Sequence, residues 1–567
     1  KTKTELTEGK CLKLALLGDT ATQFLATAIR GYAVEYALRV DLFEAEYNQV
    51  ERQMLDFSSE YHQFHADYTI VFKSAHKLAE RHALLNETEK RDLADTELDF
   101  LRTVCQQCPG KIIYCNWAEI EDGVFGSYAN KVSSSFTYQT RKFNFELMSF
   151  AQSLNNLFIC DIAGLQNKLG RDRMFDASIY TSTELVFSLD AIPYVAKRII
   201  DIIAALQGSF KKCLILDLDN TLWGGVIGDD GLEGIQLGHG LSIGKAFTEF
   251  QMWIKKLKDR GIILAVCSKN NEDTAKEPFE KHPDMILRLE DISVFVANWN
   301  TKVENIRLIQ KILNIGFDSM VFLDDNPFER NIVRENIPGI TVPELPEDPA
   351  EYLEYLYGLN LFETGSYSVA DSARTQQYQE ESKRVSLAQT FDNENDFLES
   401  LSMVSEVSSF NKFNTPRVAQ LSQRSNQFNL RTVRYTEADI EHMSTDTNVV
   451  GMAFTLKDKF GDNGLIAVII LKGESADTLF IDTWFMSCRV LKRGMENFTL
   501  NCIVEKAKAL GYKRIVGEYI PTAKNKMVSN HYSDLGFKTL QIDGERHLYE
   551  LMVDDYIEKE CYIAIKK

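Results

Sequence analysis

The stretch CLILDLDNTLWGG (213–225) ends an apolar run in two aspartates, Asp217 and Asp219, with Thr221 two residues further on. Cys213 to Leu216 predict a buried strand. Leu218 between the acids lets both carboxylates point the same way at the strand's end. Like charges placed together cost free energy unless something positive joins them. Three more features share this logic: Ser268 ends the run ILAVCS, Lys302 starts the helical stretch WNTKVENI, and Asp324-Asp325 end MVFLDD. The chemistry these types suit is phosphoryl transfer. A carboxylate can attack phosphorus and form an aspartyl-phosphate, provided Mg²⁺ offsets the repulsion between two anions. Magnesium takes oxygen ligands, commonly one or two carboxylates with phosphate oxygens. Asp217 and Asp324 are the expected ligands, with the backbone carbonyl of Asp219 as a third. The Asp219 side chain can act as acid on the leaving oxygen and then as base on water. Thr221 and Ser268 can donate hydrogen bonds to phosphate, and Lys302 supplies a point charge. Singly, each has a plainer explanation: a D-x-D can cap a turn, Ser268 a helix, and Lys302 can sit in solvent. The ordered set carries the chemistry.

These residues need a scaffold that gathers strand ends. Parallel α/β sheets do this, because ligands collect at the carboxyl ends of their strands. Residues 213–342 alternate in that way: LILDLD, a helix over 244–260, ILAVCS, further helices, then MVFLDD. An earlier alternation runs through LKLALL (12–17), YTIVF (68–72) and KIIYC (111–115), and predicts another parallel sheet up to about residue 205. Prolines 343, 346 and 349 open a polar helical connector. From about 401 the runs VVGMAFTL, LIAVIIL and TLFIDTWFM read as strands, followed by a helix with Leu500, Ile503, Val504, Ala507 and Leu510 on one stripe. The fold expected is multidomain α/β: 1–205 parallel, 206–345 parallel, 346–400 connector and 401–567 α+β. The 567 residues suit about three or four domains.

The four features, in this order, resemble motifs I to IV of the haloacid dehalogenase (HAD) superfamily, with its Rossmann-like sheet. The strings DLDNTLWGGVIGDDGLEGIQLG, LAVCSKNNEDTA, NWNTKVENI and VFLDDNPFERNIVRENIPG are similar to one subgroup, the FkbH-like proteins. The resemblance implies Asp217 as nucleophile and Asp219 as general acid/base. It implies Ser268 and Lys302 as phosphate ligands, and Asp324 with Asp325 completing the Mg²⁺ site. It extends into the last region through SQRSNQFNL, KDKFGDNGLI, MSCRVLKRGMEN and EYIPTAKNKMVSNHYSDLGF, a region resembling the GNAT acyltransferase fold. Such family members take a glyceryl unit from 1,3-bisphosphoglycerate, remove phosphate and load the unit as a thioester on an acyl carrier protein. The class of chemistry implied here is a HAD-type phosphatase or phosphotransferase coupled to acyl transfer, with a separate carrier protein as partner.

Cys488 is the expected holder of the acyl group. Arg489, Lys492 and Arg493 beside it favour the thiolate; the plainer reading is a small core residue. Glu496, close after Gly494, disfavours a pyrophosphate at that turn and with it acetyl-CoA transfer. The first region resembles SGNH hydrolases through Gly18-Asp19-Thr20. Threonine stands where that family has its nucleophilic serine, and Pro193 stands where a D-x-x-H pair starting at Asp190 needs histidine. A binding or docking module is expected. Gly316-Phe-Asp318-Ser319-Met320 resembles a phosphopantetheine attachment sequence, but Ser319 feeds a strand instead of opening a helix. Between motifs I and II only the glycine-rich WGGVIGDDGLEG is left for a flap, so a bulky cap is excluded there.

A net charge of −19 argues against non-specific nucleic-acid or anionic-membrane binding. No run spans a bilayer and no signal-peptide pattern opens the sequence. Ten cysteines over this length make no disulfide framework, and the one pair Cys105/Cys108 lacks partners at zinc spacing. A cytoplasmic enzyme acting on a small phosphorylated substrate is expected. The rival readings are a plain Mg²⁺-dependent phosphatase with inert flanking domains, and a scaffold whose site is vestigial; the complete acidic set argues against the scaffold.

Overall fold

The computed structural model describes residues 11–108, 110–240, 242–367, 374–388, 390–487, 490–522, 524–543 and 546–566. The chain divides into two compact units, 1–207 and 208–567. The architecture is α/β with parallel sheets, as the alternation of apolar runs and helices implies.

The first unit holds five strands: β1 (Leu12–Gly18), β2 (Val40–Glu44), β3 (Tyr68–Phe72), β4 (Lys111–Cys115) and β5 (Leu157–Cys160). Their order is β2-β1-β3-β4-β5, and every pair is parallel. Helices cover a parallel sheet on both faces, so its inner strands are apolar throughout instead of alternating; all five residues of β3 are buried. Helices α1 (Gln23–Glu35) and α2 (Ile192–Leu206) pack together, α2 burying Val195, Ala196, Ile199, Ile200 and Ile203. At the carboxyl end of β1, both oxygens of Asp19 accept the Ser74 N–H at 2.9 Å. Burial pushes the Asp19 carboxyl up to about 7 against that bond. Thr20 is fully buried with its hydroxyl unpartnered. Pro193 lies in the first turn of α2, where a missing N–H costs nothing.

The second unit begins with a four-stranded parallel sheet: β6 (Cys213–Leu216), β7 (Ile263–Ser268), β8 (Val294–Ala297) and β9 (Met320–Leu323), in the order β8-β7-β6-β9. Helix α3 (Ser242–Asp259) buries Phe247, Phe250, Ile254 and Leu257 at helical spacing. Helices α4 (Lys302–Leu313) and α5 (Pro327–Asn336) follow β8 and β9.

Past residue 345 the chain returns to this sheet before leaving it. Helix α6 (Arg374–Ala388) places Tyr378 in the core with Val296 and Ile306, and Gln379 donates to the carbonyls of Glu290 and Ile292. Two turns on from Tyr378, the buried Arg384 makes a two-pronged pair with Asp458 at 2.7 and 2.8 Å. The predicted connector is thus a splint between two sheets.

The second sheet comprises β10 (Met403–Ser405), β11 (Val407–Ser408), β12 (Val449–Asp458), β13 (Gly461–Gly473), β14 (Thr478–Met486), β15 (Arg514–Tyr519), β16 (Lys538–Asp543), β17 (Arg546–Met552) and β18 (Ile563–Ile565). The order is β16-β17-β15-β14-β13-β12-β10-β18, with β11 on β12. Strands β14 and β15 are parallel but pair only from Thr478↔Arg514 to Ile481↔Gly517. Beyond that they splay, and residues 428–430 enter the gap. Leu430 N–H donates to the Trp484 carbonyl at 3.3 Å, Met486 N–H to Phe428 at 3.1 Å and Ile520 N–H to Leu430 at 2.9 Å. The backbone groups freed by the splay are met by the chain itself.

Candidate active site

The register of the first sheet in the second unit makes the site. Leu216 pairs with Val266 on one side and Leu323 on the other, and Asp217 N–H continues the ladder to the Leu323 carbonyl at 3.0 Å. Asp217 and Asp324 therefore leave neighbouring strands at one level, with Ser268 one residue further along β7. Asn298, after β8, donates its N–H to the Ser268 carbonyl and accepts from Asn305 through its side chain. That bond and the Thr301–Glu304 capping box fix where α4 starts. Lys302 is its first residue.

Lys302 is 2% exposed. Its ammonium lies 2.6 Å from Asp217 Oδ1 and 3.1 Å from Asp324 Oδ2, and donates to the Cys267 carbonyl at 2.8 Å. A cation at a helix N-terminus is unfavourable by itself, and burial works against it too. The Asp217 and Asp324 carboxylates outweigh both and hold its pKa above that of an ordinary lysine. Asp324 is fully buried; burial first, and Asp217 second, push its carboxyl up to about 7. Asp325 is raised for the same two reasons.

Carboxylate oxygens of Asp217, Asp324 and Asp325 lie within 4.8 Å of one another. Asp217 Oδ1 and Asp324 Oδ2 are buried and share the single Lys302 ammonium. Three hard oxygen donors with unmet negative charge fit a small divalent cation. The Asp219 side chain is not in this group. Its Oδ1 accepts from Trp223 Nε1 and Ile227 N–H, both at 3.0 Å, and its Oδ2 accepts from Asn270 Nδ2 at 3.2 Å. Burial raises its pKa despite these donors. Its carboxyl is turned to the flap, which leaves its backbone carbonyl for a metal.

Thr221 is fully buried; its hydroxyl donates to Asp325 Oδ1 at 3.3 Å and accepts the Asp325 N–H at 3.1 Å, which orients Asp325. Ser268 is 2% exposed at the end of β7, next in sequence to Cys267, whose carbonyl accepts from Lys302. Sequence reasoning missed Trp223 and Asn270, which hold Asp219, and Arg330, which donates to the carbonyls of Asp324 at 2.9 Å and Asp325 at 2.6 Å. The run WGG directly after the D-x-D pair was the available signal for Trp223.

Against known proteins, the family model described as FkbH, N-terminal domain, matches residues 13–204. The crystal structure of the N-terminal part of the protein BF1531 from Bacteroides fragilis, containing a phosphatase domain complexed with Mg, is 64% identical. It covers 64% of this chain and 98% of its own, at a TM-score of 0.63. The ribosomal-protein-S18-alanine N-acetyltransferase from Escherichia coli is 16% identical over 26% of this chain and 94% of its own, at a TM-score of 0.21, which supports no argument. No curated protein matches.

Cys488 and Arg489 lie outside the described residues. Arg493, expected to favour a thiolate beside them, is buried in ion pairs with Glu381 and with Asp458, the latter at 3.3 Å. Its charge is already matched. Gly494, with φ +77°, caps helix α7 (Met495–Ala509), and Glu496 in the first turn accepts the Lys492 N–H at 3.4 Å. An acid thus occupies the helix start where a pyrophosphate would need open N–H groups.

Proposed function

We propose that the chain is a Mg²⁺-dependent HAD-type phosphatase acting on a small phosphorylated metabolite. One observation carries this: Asp217, Asp324 and Asp325 converge around the buried Lys302 at the carboxyl ends of adjacent parallel strands. The similar Bacteroides fragilis protein, with its phosphatase domain complexed with Mg, supports both the reaction and the metal.

Asp217 attacks phosphorus in line and takes the phosphoryl group as an aspartyl-phosphate, expelling the leaving oxygen. Asp219, whose pKa burial raises, gives that oxygen its proton. It then takes a proton from the water that cleaves the aspartyl-phosphate, which frees phosphate and restores Asp217. Ser268 and Lys302 hold the phosphoryl oxygens. Magnesium, held by Asp217, Asp324, Asp325 and the Asp219 carbonyl, supplies positive charge against the anionic substrate.

The wider reading adds a second step. The substrate is an acyl phosphate of the 1,3-bisphosphoglycerate kind, and its glyceryl unit passes through Cys488 to the thiol of a separate acyl carrier protein. The strings around MSCRVLKRGMEN support it. Intact-protein mass after incubation with the acyl phosphate tests it: hydroxylamine-sensitive mass on wild type and none on Cys488→Ser is expected, and loading of the carrier at full rate by Cys488→Ser overturns it. For the phosphatase itself, phosphate release from para-nitrophenyl phosphate must need Mg²⁺ and vanish in Asp217→Asn. Release by that variant at the wild-type rate refutes the assignment.

A further inference from the structure

The flap after Trp223 holds one short helical stretch, Ile227–Gly234, so further contacts to a leaving group have to come from the rim of the site. Asp219, the proposed acid, marks where that group lies, because the oxygen it protonates belongs to it. A chain of hydrogen bonds runs from its carboxylate to one exposed ring. Asn270 Nδ2 donates to Asp219 Oδ2 at 3.2 Å, Asn270 Oδ1 accepts the Asn271 N–H at 2.9 Å, and Asn271 Oδ1 accepts from Trp299 Nε1 at 3.1 Å. The segment that carries the ring is also tied to the phosphate side. Asn298 N–H donates to the Ser268 carbonyl at 3.2 Å, and the same segment runs on into Lys302 at the start of α4.

Trp299 is 72% exposed, although its N–H is satisfied and its neighbours Asn298 and Asn300 are joined by a hydrogen bond of 2.9 Å. A large ring left open to water is the informative exception to burial. The other tryptophans contrast with it: Trp117, Trp223 and Trp484 are fully buried, and Trp253 is partly buried against the core. A ring already fixed in place loses little freedom when a ligand covers it. Its face suits apolar carbon and planar groups. An open, anchored ring that stands beside the acid is therefore a surface for the part of the substrate that leaves.

We infer that Trp299 is the platform for the leaving group of the proposed phosphatase, and that the site prefers a phosphate ester whose alcohol part presents an apolar or planar face close to the ester oxygen. The inference rests on the phosphatase reading and names the class of ester it favours. The ring touches the leaving group in the ground state and the transition state alike, so it acts on KM and not on kcat. It does not hold the acid, since Asp219 keeps its bonds from Trp223 and Ile227 when the ring is removed.

The test uses the full chain with Mg²⁺ and three esters: phenyl phosphate, para-nitrophenyl phosphate and glycerol 3-phosphate. In Trp299→Ala, KM for the two ring esters should rise about tenfold, about 1.4 kcal/mol, with kcat unchanged. Glycerol 3-phosphate, which has no such face, should stay within about twofold of wild type. Trp299→Phe keeps a ring and should recover most of the loss. A second readout needs no turnover. In Asp217→Asn, phenyl phosphate with Mg²⁺ should shield from acrylamide the part of the tryptophan fluorescence that Trp299→Phe removes, and glycerol 3-phosphate should not. Equal losses on all three esters, or a ring as open to acrylamide with phenyl phosphate as without it, overturn the platform, while turnover by wild type leaves the phosphatase reading standing. Wild type that cleaves none of the three esters overturns both.

Discussion

Replacing Lys302 by methionine tests the electrostatic design of the site directly. The thioether fills most of the volume of the lysine stem but removes the charge that stands 2.6 Å from Asp217 and 3.1 Å from Asp324. Asp324 is fully buried and the Asp217 side chain is 13% exposed. Removing one partner of a buried ionic group costs about 3–5 kcal/mol, because the remaining charge is left uncompensated. The metal-free variant should therefore lose about that much stability in urea unfolding, read by hydrogen exchange of the sheet that carries Asp217. Magnesium should restore part of the loss and stabilise the variant more than it does wild type, because the two cations no longer compete for the same carboxylates; at a hundred times its Kd a ligand adds about 2.7 kcal/mol. Phosphate release at saturating metal should fall about 10²–10³-fold, the usual cost of losing one fixed group that meets developing charge. Metal-free stability within about 0.5 kcal/mol of wild type, the range of neutral surface changes, would refute the argument that Lys302 is the counter-charge.

Four further outcomes follow from named contacts. Asp324→Ala should keep the sheet but lose Mg²⁺ binding by isothermal titration, with activity falling at sub-millimolar metal first. Trp223→Phe removes one donor to Asp219 and should lower kcat about tenfold and move the acid limb of its pH profile upward, because losing a donor to the charged form raises a carboxyl pKa. Arg330→Met should cost about 2–4 kcal/mol in urea unfolding, since it leaves the Asp324 and Asp325 carbonyls without their donor. Asp19→Asn concerns the first unit alone. A buried carboxyl whose folded pKa is near 7, above its ordinary value, loses stability as pH rises from about 4 to about 7. The variant should match wild type near pH 4 and be more resistant to urea at pH 8, at about 1.4 kcal/mol per pKa unit; equal midpoints at pH 8 would show that Asp19 is not held protonated.

The parts of the fold that were legible were those with long apolar runs. Strands β1, β3, β4, β6, β7 and β9 are mostly or wholly buried; β7 ends in a polar residue and each of the others is followed by one. Strand β2, VDLFE, is half exposed, which blurs its signal. Strands β5 and β8 are as short as β6 and β9 but are only partly buried, which weakens their apolar signal beside the flanking helices. The acidic set was legible because residue type and strand end coincide. Its holders were not: Arg330 sits in PFERNIVREN, which reads as a solvated helix until the fold buries it. The sequence offers Thr221 as a phosphate donor and gives no sign of its contact with Asp325, which only the fold creates. The Tyr352 bond to the Asn220 carbonyl depends on the chain returning from a segment that proline composition marks as a connector.

The joint between the two sheets of the second unit bears on any coupled chemistry. Lys524 pairs with Asp318 at 2.8 Å just before β9, Gln379 reaches Glu290 and Ile292 just before β8, and Asn426 donates to the Gly208 carbonyl at 2.8 Å ahead of β6. These contacts all lie toward the amino ends of the strands, while Asp217 and Asp324 leave the carboxyl ends. Four residues of extended strand span about 13 Å, and the side chains at both ends add to that. The cover over the carboxylates comes from the flap and the returning segment at Glu347 and Tyr352. A group handed from the phosphate site to the C-terminal sheet must travel round the edge of the first sheet. That path suits a substrate on a flexible tether, such as the arm of a carrier protein, and not direct transfer between two facing sites.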